Sequence, residues 1–360
     1  MKLTAQIKLH PTDAQVESLK RTLEAANAAA NYLSAYAWNY QQFRKYDLHY
    51  AGYYAIREEF GLSAQVAVRI VAKVADSYKL DRQTQRTFRP LGSIAYDDRI
   101  LSWKKGDTVS IWSLDGRLTI PFVCGETHRE LLTKRQGEAD LVYRNGEFYL
   151  YQTCDVDETP LETPADYLGI DLGVATIAAD SDEKLHSGSE IKNVRFRHRR
   201  LRSKLQKKGT KSCRRRLRKL SGKERRFATQ VNHTISKQIV DSAQRTGRGI
   251  ALEDLQGIRD RIRARRSQRA TLHSWSFYQL RGFIEYKAKR VGVVVVAVDP
   301  RNTSRTCPSC GCIDKANRPN QATFLCIQCG FSGHADCVAA ENIRRAAVNQ
   351  PYVSTTPNPA

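Results

Sequence analysis

The 360-residue chain lacks long hydrophobic runs, and no stretch is apolar over the roughly 20 residues that a membrane-spanning helix needs. Its start, Met1-Lys2-Leu3, leads into an alternating polar and apolar pattern rather than the apolar segment of a signal peptide. Internal repeats are also missing, so a repeat architecture is not predicted. These absences predict a cytoplasmic protein with no membrane partner.

Acidic residues are few relative to basic ones: 37 Asp and Glu stand against 59 Lys and Arg, a net charge of +22. Such a surplus indicates a polyanionic partner, most often nucleic acid. A basic surface without a partner, or a peripheral membrane protein, is the alternative. Clustering of the basic residues favours nucleic acid. In the stretch Lys192 to Arg226, 18 of 35 residues are Lys or Arg, and a thin leucine stripe predicts helix.

A disulfide framework is not predicted for the nine cysteines, because the chain shows no secretory leader and six of them lie between Cys307 and Cys337. Two CxxC pairs, fifteen residues apart, stand out: Cys307, Cys310, Cys326 and Cys329. Each pair folds a tight knuckle that directs two thiolates at one ion, and four thiolates complete a tetrahedral zinc shell. Since no position is left for water, the predicted zinc is structural; redox-active or fortuitous cysteines are the alternative.

Six further Cys and His residues are not assigned to the predicted zinc site. Cys312, His334 and Cys337 are spare potential ligands, for which the non-ligating interpretation is favoured. The distant Cys124, Cys154 and Cys213 are interpreted as small buried or neutral residues.

The first half of the chain changes its hydrophobic period twice. Alternation from Leu3 to Leu9 predicts a strand, and Thr12 with Gln15 forms a capping-box pattern at the start of a helix. A tyrosine-rich link leads to a second helix at about 63–79. After about residue 101 the period returns to two, with hairpin signals at Asp115-Gly116 and Asn145-Gly146. This order predicts a small β-barrel with a helical insertion.

The second half begins near residue 166, after the acidic, proline-containing stretch 155–164. Its pattern predicts strands and helices in alternation. The predicted strands are Tyr167 to Asp171, Ala175 to Ala179, Gly249 to Leu252 and Val291 to Val298, with a helix from Phe277 to Arg290 and a frayed tail from Gln350 to Ala360.

Three acids lie at positions where a carboxylate has little structural role. Asp171 and Glu253 each end an apolar strand, and Asp336 opens a helix. Each one taken alone also fits a structural, solvated or helix-capping role. In a strongly basic protein, grouped carboxylates are what two Mg²⁺ ions need to activate water and stabilise the leaving oxygen of a phosphodiester. Whether the three acids meet depends on the fold.

The second half resembles the TnpB (transposon OrfB) family, relatives of the type V CRISPR nucleases. The resemblance covers 166–345 and rests on motifs that occur in order: Gly-Ile-Asp171-Leu-Gly, Leu-Glu253-Asp-Leu, Trp275 through Tyr286-Lys-Ala, Asn302-Thr-Ser-Arg-Thr with the first CxxC, the second CxxC, and Asp336-Cys-Val-Ala-Ala-Glu-Asn-Ile343. The first half matches more weakly.

The resemblance implies a multidomain fold, α+β in the first half and α/β in the second. An N-terminal wedge-type β-barrel (1–10 and 101–165) would carry a helical recognition insertion (11–100). A RuvC-like (RNase H-like) nuclease domain (166–302) would follow, with an inserted zinc ribbon that binds target nucleic acid (303–332). The last RuvC helix (333–348) and a flexible tail (349–360) would complete the chain.

The resemblance also implies a function: an RNA-guided DNA endonuclease of transposon origin that cleaves double-stranded target DNA next to a short transposon-associated motif. Asp171, Glu253 and Asp336 would be its catalytic, magnesium-binding acids. It would act as a monomer with a non-coding guide RNA from its own element, two catalytic Mg²⁺ and one structural Zn²⁺, in the cytoplasm at the nucleoid. The alternatives are a nuclease-silent guided DNA-binding regulator, a guide-independent transposition accessory protein, and a true CRISPR effector.

Two departures from the family pattern surround Asp336. The family often has Asp-Arg before its last aspartate, where this chain has His334 and Ala335, and Asn two residues after it, where this chain has Val338. The first is a tolerated kind of variation. Val338 predicts looser support of the Asp336 carboxylate.

Overall fold

The computed structural model describes residues 1–161, 163–173, 175–254 and 277–349. Two compact units make up the chain, Met1–Asp157 and Glu158–Ala360. The predicted tail lies outside the described residues from position 350 onward, as does Trp275. Among the helices of the described part, none is long and apolar enough to span a bilayer.

The first unit contains one antiparallel sheet of seven strands. The strands are β1 (Lys2–Leu9), β2 (Ile94–Tyr96), β3 (Leu101–Lys104), β4 (Thr108–Ser113), β5 (Gly116–Val123), β6 (Arg135–Arg144) and β7 (Glu147–Asp155), in the spatial order β2-β6-β7-β1-β5-β4-β3. Both predicted hairpins, β4–β5 and β6–β7, are confirmed. Since the two edge strands β2 and β3 follow each other closely in sequence, the sheet nearly closes, which is compatible with the predicted small barrel.

Three helices separate β1 from the rest of the sheet: α1 (Asp13–Tyr40), α2 (Lys45–Phe60) and α3 (Ala64–Leu80). The predicted capping box is present, because the Thr12 hydroxyl accepts from the Gln15 amide and the Gln15 side chain accepts from the Thr12 amide. A short helix α4 (Glu126–Leu132) follows β5. Apolar residues of α1 to α3 and of the sheet form one continuous core.

The tyrosine-rich stretch predicted as a link is helix α2, so that prediction was wrong. Tyr46, Tyr50 and Tyr54 repeat every four residues and are 75 to 86% exposed, while only Leu48, Gly52 and Ile56 are buried. The buried positions also recur every four residues, which is the helical period. The helical period was not recognised because the tyrosines, which count as apolar residues in the pattern, lie on the solvent-exposed side of the helix.

The second unit is built on a mixed five-stranded sheet. Its strands are β8 (Tyr167–Asp171), β9 (Thr176–Asp180), β10 (Leu185–Ser187), β11 (Gly249–Glu253) and β12 (Val295–Val298), in the order β10-β9-β8-β11-β12. Strands β8, β11 and β12 are parallel, and β9 and β10 are antiparallel to their neighbours. Strand β12 is shorter than the predicted Val291 to Val298, because a turn that includes Gly292 at positive φ precedes it.

Helices cover both faces of this sheet. Helices α7 (Lys223–Arg245) and α8 (Phe277–Arg290) bury their apolar residues on one face, and α9 (Ala335–Asn349) packs on the other. The approach of α9 requires a glycine in β8, because a Cβ on Gly169 would lie only 2.0 Å from the Ala340 carbonyl oxygen. This close contact fixes the start of α9 beside the end of β8.

The basic stretch 192–226 is helical as predicted, but it is broken into three pieces. Helices α5 (Ser189–Lys208), α6 (Lys211–Leu220) and the start of α7 are separated at Gly209 and Gly222, which have φ of 65° and 76°. These left-handed positions suit glycine and interrupt a helix. Of the eighteen basic side chains, all except Arg195 are exposed.

Between β12 and α9 the chain folds into a small ribbon. It contains a 3-10 turn (Lys315–Asn317) and the hairpin β13 (Thr323–Leu325) with β14 (Ser332–His334), so the hairpin extends two residues past the predicted ribbon end. Phe324, Cys307, Cys326, Ala335 and Val338 form its apolar core.

Candidate active site and metal centre

The two knuckles bring the four predicted cysteine ligands together. The thiol sulfurs of Cys307, Cys310, Cys326 and Cys329 all lie within 4.8 Å of one another. The Cys307–Cys329 and Cys310–Cys326 sulfurs are 3.6 and 3.5 Å apart. Tetrahedral Zn–S bonds of about 2.3 Å would place sulfurs about 3.8 Å apart, so the set fits zinc. Gly311 and Gly330 close the knuckles at positive φ, with amides donating to the carbonyls of Cys307 and Cys326.

The three spare candidates lie outside this set. The Cys312 carbonyl accepts from the Cys307 amide, and its side chain packs against the ribbon core. His334 uses Nδ1 to accept from the Asp336 amide at 3.3 Å, and burial raises the pKa of Cys337 to about 11. These roles agree with the non-ligating interpretation.

A buried asparagine ties the two knuckles to each other. The Asn317 amide nitrogen donates to the carbonyls of Arg305 and Cys312, and its Oδ1 accepts from the Ile327 amide. Because Asn317 is fully buried, these bonds satisfy an otherwise costly polar group. Asn317 therefore fixes the backbone on both sides of the four cysteines.

Asp171 and Glu253 end two neighbouring parallel strands. Ile170 in β8 pairs with Leu252 in β11, so the following residue of each strand, Asp171 and Glu253, emerges at the same edge of the sheet. Asp336 joins them because it is the second residue of α9, whose start is fixed beside β8. Hence strand register and one helix contact direct the three predicted acids to one place.

The charges of the three acids influence one another. Burial, then the negative charges of Glu253 and Asp336, raises the pKa of Asp171 to about 7. Burial also raises the pKa of Glu253, although a hydrogen bond from the Thr303 hydroxyl opposes this effect. Among the described residues, only the four cysteines have all ligand atoms within 4.8 Å, so the three carboxylates are grouped less tightly than that.

A cation that the sequence did not reveal lies within this acidic group. The Arg318 guanidinium, one residue after Asn317, donates to Asp336 Oδ1 at 2.8 Å and to the Gln321 carbonyl at 2.9 Å. Its positive charge opposes the rise in the pKa values of both Asp171 and Glu253. A single arginine in a loop carries no signal in the sequence. Its special position becomes visible only in the structure, where it follows the buried Asn317.

We expect Arg318→Met to destabilise the zinc-loaded, magnesium-free protein by about 2 kcal/mol at pH 8, the scale of a charged hydrogen bond. The loss should be smaller at pH 5, because Asp171, with a pKa of about 7, then holds a proton and the acids repel less. Thermal unfolding at both pH values measures this. Arg318→Lys, which keeps the charge, is the control, and an equal loss at both pH values would contradict the assignment.

Val338, the residue at which the chain departs from the family pattern, is buried in the ribbon core with Cys307 and Phe324. Asp336 is held instead by Arg318 through its carboxylate and by His334 through its amide.

A second electrostatic feature is the basic helical segment, defined as Lys192 to Arg226, which spans most of α5, all of α6 and the start of α7. Its one acid, Glu224, lies 3.3 Å from Arg195 and 2.9 Å from Arg202, and so links α7 to α5. The remaining cations cover the outer surface with no second acid in the stretch. This concentration of exposed positive charge fits a phosphate backbone.

These features define a mixed α+β protein with a four-cysteine centre beside a carboxylate group at a sheet edge. Two family models match the stretches of the chain that carry these features. Residues 151–256 match the family model OrfB_IS605, described as "Probable transposase", and residues 277–343 match the Cas12f1-like TNB domain. These matches, with the relatives below, confirm the resemblance to the TnpB family and its CRISPR relatives.

Two relatives and one solved structure illustrate the similarity. The CRISPR-associated endodeoxyribonuclease Cas12f1 of Syntrophomonas palmitatica is 34% identical over 209 residues, 53% of this chain and 41% of the relative. The TnpB-like protein MJ0751 of Methanocaldococcus jannaschii is 37% identical over 126 residues, 35% of this chain and 45% of the relative. The chain thus spans about half the length of the curated relatives it matches.

The fold is similar to that of Cas12f1 in a cryo-EM structure of the Cas12f1-sgRNA-target DNA complex. The TM-score is 0.59 at 17% sequence identity, over 92% of this chain and 83% of that chain. At this identity the similarity establishes a shared mixed α+β fold.

Proposed function

We propose that this chain is an RNA-guided, Mg²⁺-dependent DNA endonuclease of transposon origin. The observation that carries the proposal is the grouping of Asp171, Glu253 and Asp336 at one edge of the second sheet, where burial and then the charges of the other two acids raise the pKa of Asp171 to about 7. Like charges this close favour cation binding, and perturbed carboxylates are typical of functional sites.

The domain layout follows the same proposal. The seven-stranded sheet would be the wedge-type barrel (1–10 and 101–165), and α1 to α3 the helical recognition domain (11–100). The five-stranded sheet with α7, α8 and α9 would be the RuvC-like domain (166–302 and 333–348), interrupted by the zinc ribbon (303–332). The position of β1 between β5 and β7 supports an insertion of α1 to α3 into one barrel.

The three acids would hold two Mg²⁺ ions, which supply activation of water and stabilisation of the leaving oxygen. The residues fit this role, because two carboxylates project from adjacent strand ends and a third from a fixed helix start. Asp171 would lose its proton as ions bind, since a nearby divalent charge favours the carboxylate. The ribbon would orient the site through Arg318 and Thr303.

The basic helical segment would hold the backbone of the guide RNA or its target. We expect Arg214, Arg215 and Arg216→Gln to weaken guide RNA binding and to reduce the slope of log affinity against log salt by about 2, because about three phosphate contacts are lost. Filter binding across a salt series measures this. The same three residues changed to Lys keep the charge and should keep the slope; an unchanged slope in the Gln variant would place the RNA elsewhere.

The function is tested by purifying the chain from its host and sequencing the RNA that accompanies it. One dominant species that runs from its own element into flanking DNA supports the guided function. That RNA then programmes a cleavage assay on matching double-stranded DNA with Mg²⁺. A random RNA mixture would leave a guide-independent accessory role, and a defined RNA without cutting would leave a nuclease-silent regulator.

An adjacent repeat array in the genome would point to a CRISPR effector instead. The native mass of the purified ribonucleoprotein tests whether one copy of the chain is present. The proposed site of action is the cytoplasm at the nucleoid.

A further inference from the structure

The Glu253 carboxylate has one hydrogen-bond donor whose own position is fixed by a separate element. The Thr303 hydroxyl donates to Glu253 Oε1 at 2.5 Å. Thr303 is 6% exposed and lies in the loop between β12 and the first zinc knuckle, so the contact joins residues 50 apart in sequence. A bond this short to a carboxylate belongs to the charge-assisted class, roughly twice as strong as a neutral one.

The loop that carries Thr303 is held by an asparagine of helix α9. Asn342 donates its two amide protons to the carbonyls of Thr303 and Thr306, each at 2.8 Å. The side chain is 8% exposed, so these bonds satisfy a buried amide and two loop carbonyls together. The loop cannot move along α9 without breaking both bonds.

We propose that Thr303 is a positioning residue for Glu253 and that Asn342 acts on Glu253 through Thr303. This inference rests on the proposed function, in which Glu253 holds a catalytic metal ion. A hydroxyl that donates to one carboxylate oxygen leaves the second oxygen free and limits rotation of the group. Partners of metal-binding carboxylates act in this way, and their loss typically costs about 10- to 100-fold in metal affinity.

A local role for Thr303 is the competing explanation. Its Oγ1 is also 3.1 Å from the Pro300 carbonyl, three residues earlier, and could simply close that turn. The hydroxyl has a single proton, so it donates fully to only one acceptor at a time. The shorter distance and the charge of the acceptor favour Glu253.

The test measures Mn²⁺ binding directly, by the EPR signal of free Mn²⁺, in the full-length, zinc-loaded chain freed of RNA. Thr303→Val keeps the size and removes the hydroxyl, and we expect its dissociation constant to rise about 10-fold or more. Thr303→Ser restores the hydroxyl and should stay within about threefold of wild type. A local turn role would lower thermal stability without a selective loss of Mn²⁺ affinity.

The order of action is tested with Asn342→Leu. We expect the single change to weaken Mn²⁺ binding and to lower stability, because two carbonyls lose their donors. The double variant with Thr303→Val should bind Mn²⁺ no more weakly than Thr303→Val alone, since residues in one chain of contacts are not additive. Additive losses would overturn the claim that Asn342 acts through Thr303.

Glu253→Gln separates this inference from the proposed function. If Glu253→Gln loses Mn²⁺ binding and Thr303→Val binds as wild type does, the positioning role is wrong and the proposed metal site stands. Wild-type Mn²⁺ binding by Glu253→Gln would overturn both. The magnesium concentration for half-maximal DNA cleavage by the ribonucleoprotein should rise in Thr303→Val and recover in Thr303→Ser.

Discussion

Asp171→Asn should abolish DNA cleavage, by on the order of 1000-fold or more, while guide RNA binding stays at the wild-type level. The change preserves the shape of the side chain and removes one of the three negative charges that would hold the ions. Asp171 has both other acids as charged neighbours, and it is the acid whose pKa they raise. Single-turnover cleavage and a separate RNA-binding titration measure the two effects.

Asp299→Asn is the matched control for this variant. Asp299 follows β12 as Asp171 ends β8, but its side chain is 64% exposed and faces Arg301 at 3.7 Å. Cleavage near the wild-type rate is expected. Joint loss of cutting and RNA binding in Asp171→Asn would mean that the acid supports the fold or the RNA surface rather than the chemistry.

Asp171→Asn should also stabilise the magnesium-free protein above pH 7. A carboxyl whose folded pKa of about 7 exceeds its ordinary 3.8 stabilises the folded state only while protonated, so its stabilisation is lost as pH rises from about 4 through 7. The difference corresponds to at most about 4 kcal/mol. Thermal melts at pH 5 and pH 8 measure it, and a gain confined to pH 5 would have the wrong sign.

Cys307→Ser should release zinc and unfold the ribbon. Structural zinc contributes about 10 kcal/mol or more of apparent binding free energy, and an incomplete thiolate shell loses much of it. Two contacts to the acids depend on this ribbon and on the loop that leads into it. They are the contact of Arg318 with Asp336 and that of Thr303 with Glu253. We therefore expect a lower melting temperature and no cleavage.

Cys312→Ser is the control for the zinc prediction, because Cys312 lies in the same ribbon but outside the four-thiol set. One zinc per chain and near wild-type melting are expected. Zinc content by elemental analysis and thermal unfolding decide between the variants. Unchanged zinc and melting in Cys307→Ser would remove the structural role assigned to the metal.

The parts of the molecule that sequence predicts well are those set by local chemistry. The CxxC spacing alone groups Cys307, Cys310, Cys326 and Cys329, and turn residues fix both hairpins. The grouping of Asp171 with Glu253 needs only that two parallel strands end together, but the pairing of those strands came from a family resemblance. Local pattern could not supply it.

The parts that sequence missed depend on long-range contacts or on exposed apolar residues. Arg318 contacts the acids from the ribbon, whose backbone is fixed by the cysteine knuckles and by Asn317. Thr303 contacts them from a loop that is held by Asn342. No periodicity encodes such approaches. Helix α2 was missed for the opposite reason, since its tyrosines face solvent and blur the helical pattern.

The central place of β1 in its sheet has a consequence for how the chain is made. Lys2 pairs with Asp155 and Lys8 with Val123, so during synthesis β1 remains unpaired until strands more than a hundred residues further along the chain have been made. At about 5–20 residues per second this delay is on the order of 10 s. Helices α1 to α3 have local contacts and can form first. The seven-stranded sheet is then completed around β1, which stays accessible to chaperones and proteases until its partner strands have been made.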